Sequence, residues 1–290
     1  MTVTAIDCHA HFHTGDRARG KPASAGRTAE DRQAEIIDYY RSRNMAAVVF
    51  DVNRQSQTGA GSNNDEIVQL VNASEGRLMG FATVDPWQQR AALQELERCR
   101  TAGLRGLKVQ PITQAFELND RRFYPLWDFC QENGWPLMVH TGTTAVGAGT
   151  PGGGGYTLRF GRPVPCVDDV AAAFPRLQLI AAHFGWPWHL ELMAVARHKS
   201  NVFVDLSGWA PKLIPPEVLT YCDKVIPEQF LFGSDYPMLS VDRWMKEFEQ
   251  LDMKESTRRR VLYDNAAKLF DFPGSEAALS QAAGQSQPEV

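Results

Sequence analysis

Two histidines spaced two residues apart, His9 and His11, carry the first chemical signal, in the segment Ile6-Asp7-Cys8-His9-Ala10-His11-Phe12-His13. The residues before them read as a strand, and strand positions two apart point the same way. Two imidazoles therefore converge at a strand end, which suits a divalent cation such as zinc. Two histidines merely closing a strand beside water would look the same. Four further residues bear on the choice: Lys108 in Gly106-Leu107-Lys108-Val109, His140 in Leu137-Met138-Val139-His140-Thr141-Gly142, His183 in Leu179-Ile180-Ala181-Ala182-His183-Phe184-Gly185, and Asp235 in Leu231-Phe232-Gly233-Ser234-Asp235-Tyr236-Pro237. Each sits at or just after the end of an apolar run. Four histidines and an aspartate gathered at one mouth point to a metal-dependent catalytic site.

Gathering them requires a fold that brings strand ends together. Apolar, β-rich runs occur at 3–7, 46–51, 78–84, 104–109, 136–140, 177–183, 201–205 and 229–233. They are nearly continuous in apolar character, as parallel strands buried on both faces require. Helical patterns at 29–41, 65–74, 88–101, 122–133, 167–174, 188–198, 216–221 and 241–251 separate them. Thr28 is the expected N-cap of the first helix, Asn63 and Asn64 a capping pair for the second, and Gly134 the stop of the fourth. Eight strand–helix units predict an α/β protein with a (β/α)8 TIM barrel, whose sites form where the C-terminal strand ends meet. A doubly wound open sheet is the second choice, but the first strand lacks a glycine-rich phosphate turn. One barrel domain is expected over 1–273, with a weakly ordered tail rich in Ala, Ser and Gln over 274–290.

Two long loops follow strand ends on that face. Segment 14–28 carries Arg17, Arg19, Lys21 and Arg27; segment 141–165 carries four glycines at 152–155, then Tyr156, Arg159 and Arg162. Long loops at this position serve as lids or substrate walls. The 290 residues are 43% hydrophobic and 22% charged, with a net charge of −4, which gives no basic footprint for nucleic acid or an anionic membrane. No run approaches the ~18 apolar residues of a membrane span, and no signal-peptide pattern precedes the first strand. A cytoplasmic protein acting on a small molecule is expected, with homo-oligomerisation left open. The five cysteines are scattered without a CxxC pair, so neither a thiolate metal site nor a disulfide framework is expected.

The ordered set of motifs, from Ile6-Asp7-Cys8-His9-Ala10-His11 to Leu262-Tyr263-Asp264-Asn265-Ala266-Ala267, resembles the amidohydrolase superfamily. Within it the chain is most similar to the branch that contains aminocarboxymuconate-semialdehyde decarboxylase and related hydrolases and decarboxylases. The resemblance implies a barrel of the metal-dependent hydrolase type. It implies one zinc per chain, or another divalent ion such as manganese, held by His9, His11, His140 and Asp235 with a water in the open position. His183 would then be a non-ligand acid/base. Zinc with an open position lowers the pKa of its water and polarises a carbonyl. Asp235 would take that water's proton, and His183 would return one to the leaving atom. Lys108 stands where binuclear members carry a carboxylated, metal-bridging lysine. Here it is expected unmodified, paired with a carboxylate or touching substrate. His13 is expected in a loop, His189 and His198 in structural positions, and Asp7 facing away from its histidine neighbours to tie down backbone.

Such a site supports two reactions. Attack on a carbonyl gives hydrolysis; protonation at carbon with loss of a carboxylate gives non-oxidative decarboxylation. Trp186, in a run of aromatic residues after His183, suits an aromatic or conjugated substrate. Tyr156 and Arg159, beside the glycine-rich segment, suit an anionic one. The expectation is a hydrolase acting on a small, anionic, aromatic-derived carbonyl compound such as a lactone, an amide or a β-keto thioester. The alternative is a metal-dependent decarboxylase of an aromatic or conjugated acid.

Overall fold

Period-two burial on both faces sorts the strand residues into an inward and an outward set. The structure, a computed structural model, describes residues 3–12, 28–52 and 62–272. His13, the basic residues of segment 14–28 and the tail 274–290 lie outside the described residues. Nine parallel strands are formed among those described: β1 (Ala5–His11), β2 (Met45–Phe50), β3 (Leu78–Gly80), β4 (Ala82–Thr83), β5 (Leu107–Val109), β6 (Leu137–His140), β7 (Leu179–Ala182), β8 (Val202–Asp205) and β9 (Phe230–Leu231). They are hydrogen-bonded in chain order as two arcs, β1 to β3 and β4 to β9.

The expected third strand is divided at Phe81, and the division joins the arcs. Phe81 N–H donates to the Val49 carbonyl at 3.0 Å, while Ala82 N–H donates to the Gly106 carbonyl at 2.8 Å. The circle closes between β9 and β1. Cys8 N–H donates to Phe232 O at 2.9 Å, His11 N–H to Tyr236 O at 2.7 Å, and Asp235 N–H to His9 O at 2.9 Å. The result is the (β/α)8 barrel that the alternation of patterns predicts.

Inside the barrel, Ile6, Cys8, Val48, Phe50, Met79, Phe81, Met138, Ile180, Ala182 and Leu231 form one apolar cluster. The intervening residues, Ala47, Val49, Leu107, Val139, Ala181 and Val204 among them, pack outward against the helices. The final helix, Asn265–Phe270, lies beyond the expected helices and adds Ala266, Leu269 and Phe270 to the interior cluster. Asn265 Nδ2 donates to the carbonyls of Pro227 and Phe230, both at 2.8 Å, where β9 begins. This helix therefore plugs the barrel at the strand-start end, leaving the other end for chemistry.

The outer helices start and stop within a few residues of expectation. Thr28 caps Ala29–Arg41 in a reciprocal box with Asp31. Gly134 adopts φ +63°, as a stop residue should. The capping pair is corrected. Asn63 occupies the N-cap position, but its side chain makes no capping bond and donates instead to Asp51 Oδ2 at 2.7 Å; Asn64 lies inside the helix, donating to Thr83 O at 3.0 Å and Glu95 Oε1 at 2.7 Å. No helix among the described residues is long and apolar enough to cross a membrane. All five cysteines are free and buried.

Strict alternation would put Asp7, His9 and His11 on one face. The β1–β2 pairing slips between them: Asp7 pairs with Ala47, yet Ala10 pairs with Val49. This extra residue turns Asp7 toward the helices and leaves both histidines facing the mouth. Asp7 accepts from His9 N–H at 3.1 Å, Ser234 N–H at 2.9 Å, the Ser234 hydroxyl, and Tyr40 OH at 2.8 Å. It fastens β1, the loop after β9 and the first helix together, as the sequence suggests. Asp7→Ala leaves those buried donors unmatched and is expected to lower unfolding free energy by about 2–4 kcal/mol. A urea titration reads this as a lower midpoint at unchanged slope; a midpoint within error of wild type would remove the clamp.

Candidate active site

The chemical residues continue the inward parity of their strands. Met138 faces in, so His140 does; Phe203 faces in, so Asp205 does. His183 and Asp235 follow their strands on turns, and both take left-handed backbone conformations with φ of +63°. Such conformations cost non-glycine residues roughly 1–3 kcal/mol and persist where surrounding bonds over-determine them. For Asp235 those bonds are its own N–H to His9 O at 2.9 Å and its carbonyl accepting from Met238 N–H at 2.8 Å.

At the mouth, ligand atoms of His9, His11 and Asp235 all lie within 4.8 Å of one another. Asp235 Oδ1 is 3.0 Å from His11 Nε2 and 3.3 Å from His9 Nε2. His9 Nδ1 is 2.6 Å from Asp205 Oδ2. Burial pushes Asp205 up to about 6, which still leaves it ionised and accepting at neutral pH, so the His9 proton sits on Nδ1. His9 Nε2 then presents a lone pair to a carboxylate oxygen 3.3 Å away, in a buried place, with no hydrogen bond of its own. His11 Nδ1 is likewise buried without a hydrogen-bond partner among the described residues. Two acceptors facing each other out of water repel, and a cation between them relieves the conflict. The donor set of imidazole nitrogens and one carboxylate fits a divalent first-row metal.

His140 stands beside this trio rather than within its 4.8 Å span. Its ring centre is 4.6 Å from that of His183, which is 4.9 Å from that of His9. His140 Nε2 lies 2.8 Å from Thr143 O. A carbonyl only accepts, so Nε2 carries the proton and Nδ1 keeps a lone pair. Burial, and then the Lys108 charge, push His140 down to about 3; burial and neighbouring imidazoles lower His183, and burial and Lys108 lower His9. Neutral imidazole is the form that binds metal. Asp235 responds in the opposite sense. Burial alone would raise it, but the His11 hydrogen bond and nearby imidazoles hold it at about 2.

Lys108 is buried against the Phe50 ring, with Nζ 5.0 Å from its centre, and burial lowers it to about 8. The expected pairing with a carboxylate is not what forms, because Nζ has no hydrogen-bond partner among the described residues. Phe50 in turn packs edge-on against His9 and His11, each at 4.9 Å.

The substrate-side candidates are more dispersed. Segment 141–165 folds into two short turns, Pro151–Gly155 and Leu158–Gly161. Its base is pinned by Gly142 N–H to Gly161 O at 2.7 Å and Thr143 N–H to Trp186 O at 2.8 Å. Trp186 is 38% exposed, its ring 5.1 Å from that of Trp209. Tyr156 is half-buried. Arg159 is exposed, with its guanidinium 4.8 Å over Phe160. Arg162 is committed to Glu191 at 2.6 Å. No hydrogen bond, ion pair or ring contact among the described residues joins Arg159 to the histidine cluster. Asp205 and Ser207 were not among the expected site residues. The signal was present: the 201–205 run ends on an aspartate as the other runs end on their chemical residues, and a small Ser-Gly pair follows.

Comparison with known proteins gives a consistent picture. The family model described as amidohydrolase matches residues 6–272. The chain is 21% identical to gamma-resorcylate decarboxylase of Polaromonas sp. over 288 aligned residues, covering 83% of this chain and 87% of that protein. Its fold is similar to an uncharacterised TIM-barrel protein of Bordetella bronchiseptica, with a TM-score of 0.75 at 21% identity, covering 93% of this chain and 99% of that one. It is also similar to the manganese-containing structure of 5-carboxyvanillate decarboxylase from Novosphingobium aromaticivorans, with a TM-score of 0.65 at 19% identity, covering 93% and 96% of the two chains.

Proposed function

This chain belongs to the amidohydrolase family, and from that premise we propose that it is a metal-dependent, non-oxidative decarboxylase of a small aromatic or conjugated carboxylic acid. The observation that carries decarboxylation over hydrolysis is the likeness, along 83% of the chain, to a protein named for decarboxylating an aromatic acid. The sequence alone ranks hydrolysis first, although no motif separates the two reactions; the relatives favour decarboxylation.

In this reading His9, His11 and Asp235, with His140 completing the set, hold one divalent ion. Zinc suits the nitrogen-rich donors, and manganese is accepted by the same kind of set. When bound, the ion supplies positive charge that orients an anionic substrate and stabilises charge building on it. The bond from the ring carbon to the carboxylate breaks, its electron pair stays on the ring carbon, and carbon dioxide leaves. One proton must reach that carbon, and no oxidant or reductant is needed.

His183 is the residue to deliver it. Its Nδ1 is 3.1 Å from Ser207 O, so Nδ1 keeps its proton and Nε2 takes up and passes on the second. Asp235, held as a carboxylate, favours the charged imidazole while it carries that proton. Trp186 offers a flat apolar face beside this turn, and Tyr156 and Arg159 are the polar groups of the adjoining segment that would meet the remaining substituents. The test is turnover of gamma-resorcylate and 5-carboxyvanillate in D2O, beside a panel of lactones and thioesters. Release of carbon dioxide with one deuterium on the vacated carbon is expected. A hydrolysed acid from the panel, without carbon dioxide from either aromatic acid, would reverse the order of the two reactions.

A further inference from the structure

We propose that Asp205 and Ser207, on the single turn that ends β8, are positioning residues that set the tautomer and ring orientation of His9 and His183 together. The inference rests on the metal site and proton donor argued above. An imidazole protonated on Nδ1 turns a lone pair outward at Nε2, and only that form can ligate through Nε2 or take up a proton there.

One turn makes both assignments. Asp205 Oδ2 accepts from His9 Nδ1 at 2.6 Å and from Ser207 Oγ at 2.8 Å, and Asp205 Oδ1 accepts from Ser207 N–H at 2.8 Å. The single Ser207 hydroxyl proton is thereby committed. Its oxygen can then only accept, and it lies 3.0 Å from His183 Nδ1 and 3.1 Å from His9 Nδ1. The Ser207 carbonyl, also acceptor-only, is 3.1 Å from His183 Nδ1. Both rings are therefore protonated on Nδ1, which leaves the lone pair on Nε2 of each; His9 Nε2 lies 3.3 Å from Asp235 Oδ1.

The backbone is cleared for this bracket. Asp205, Ser207 and His9 have no exposed surface. A Cβ at Gly233 would lie 2.3 Å from Asp205 Oδ1 and 2.9 Å from His9 Cβ. Gly208 has φ +77°, and a Cβ there would lie 2.7 Å from His183 Nδ1. Glycine is required at both positions because the bracket leaves no room for a side chain.

Two variants separate the two assignments. Asp205→Asn keeps the shape but replaces one acceptor oxygen with a donor, and it removes the charge that favours Nδ1–H on His9. Zinc affinity, measured by chelator competition on the full chain, should fall about 10–100-fold. Nitrogen-15 spectra of the histidines in the metal-free protein should show His9 losing its Nδ1–H form. Ser207→Ala retains the Asp205–His9 bond, so zinc affinity should stay within about twofold. His183 keeps the residue-207 carbonyl as an acceptor but loses the hydroxyl oxygen, so its Nδ1–H resonance should shift as the ring loosens, and kcat should fall about tenfold with little change in KM. Wild-type zinc affinity and an Nδ1-protonated His9 in Asp205→Asn would overturn the proposal for His9. An unchanged His183 spectrum and kcat in Ser207→Ala would overturn it for His183. If Asp205→Asn does not fold, Asp205→Ala, which removes the acceptor and the charge without adding a donor, carries the same affinity and spectral test. Zinc affinity and histidine spectra are read without substrate, so failure of the decarboxylation reading would show in the turnover panel and leave these measurements standing.

Discussion

His9→Ala is expected to abolish metal binding and turnover together while the barrel remains folded. The ring contributes the Nε2 lone pair that faces Asp235 at 3.3 Å, and nothing else on β1 can replace it, since His11 already takes its own place in the trio and Ile6 and Cys8 lie in the interior cluster. A site short of one ligand does not hold a borderline divalent ion at working concentrations. The lost charge stabilisation of several kcal/mol corresponds to about 10⁴-fold in rate. Elemental analysis of the purified protein should fall from about one metal per chain to background. Circular dichroism should stay close to wild type, because the interior cluster beneath the site is untouched. Retention of the metal at wild-type affinity would remove His9 from the site. Two tightly held metals in the wild-type protein would instead draw in Lys108, whose amine already lies buried beside Phe50 and free of hydrogen bonds among the described residues.

His183→Asn should leave the metal in place and cost on the order of 10²–10⁴ in kcat, the usual size of a general acid–base contribution. Asparagine can still donate to the Ser207 carbonyl, so the turn after β7 keeps its bond. What it lacks is a ring nitrogen with a lone pair that can take up a proton and pass it on. The two variants thus divide the site, with His9 controlling metal content and His183 controlling the chemical step. Loss of metal from His183→Asn with folding intact would make His183 a ligand and send the search for the proton donor elsewhere.

What the sequence revealed follows from its local signals. Strand ends were legible because the apolar runs stop at polar residues: Gln110 follows Val109, and His140, His183, Asp205 and Asp235 close or follow their runs. The barrel was legible from alternating strand and helix periods, since parallel strands buried on both faces form a closed barrel or a doubly wound sheet, and the first strand lacks the glycine-rich phosphate turn of the latter. The third run was read as one strand because periodicity cannot register that Phe81 bonds to one neighbour and Ala82 to the other. Asn63 and Asn64 looked like a cap because residue type alone does not reveal that Asn64 has a better partner in Thr83 across the fold.

Which residues meet was decided only by the tertiary structure. Asp7, His9 and His11 share a parity in the sequence, and the β1–β2 register slip alone separates them. His140 and Asp235 are equally plain strand-end residues, yet Asp235 joins the trio while His140 stands beside it. Arg159 and Arg162 look alike as anion-binding residues, yet one lies over Phe160 and the other is bound to Glu191. The sequence by itself determined residue types, periods and strand ends, because these are set by interactions within a few residues. The tertiary structure decided ligand grouping and the tautomers set by Asp205 and Ser207, because His9 and Asp205 are 196 residues apart and meet only when the barrel closes.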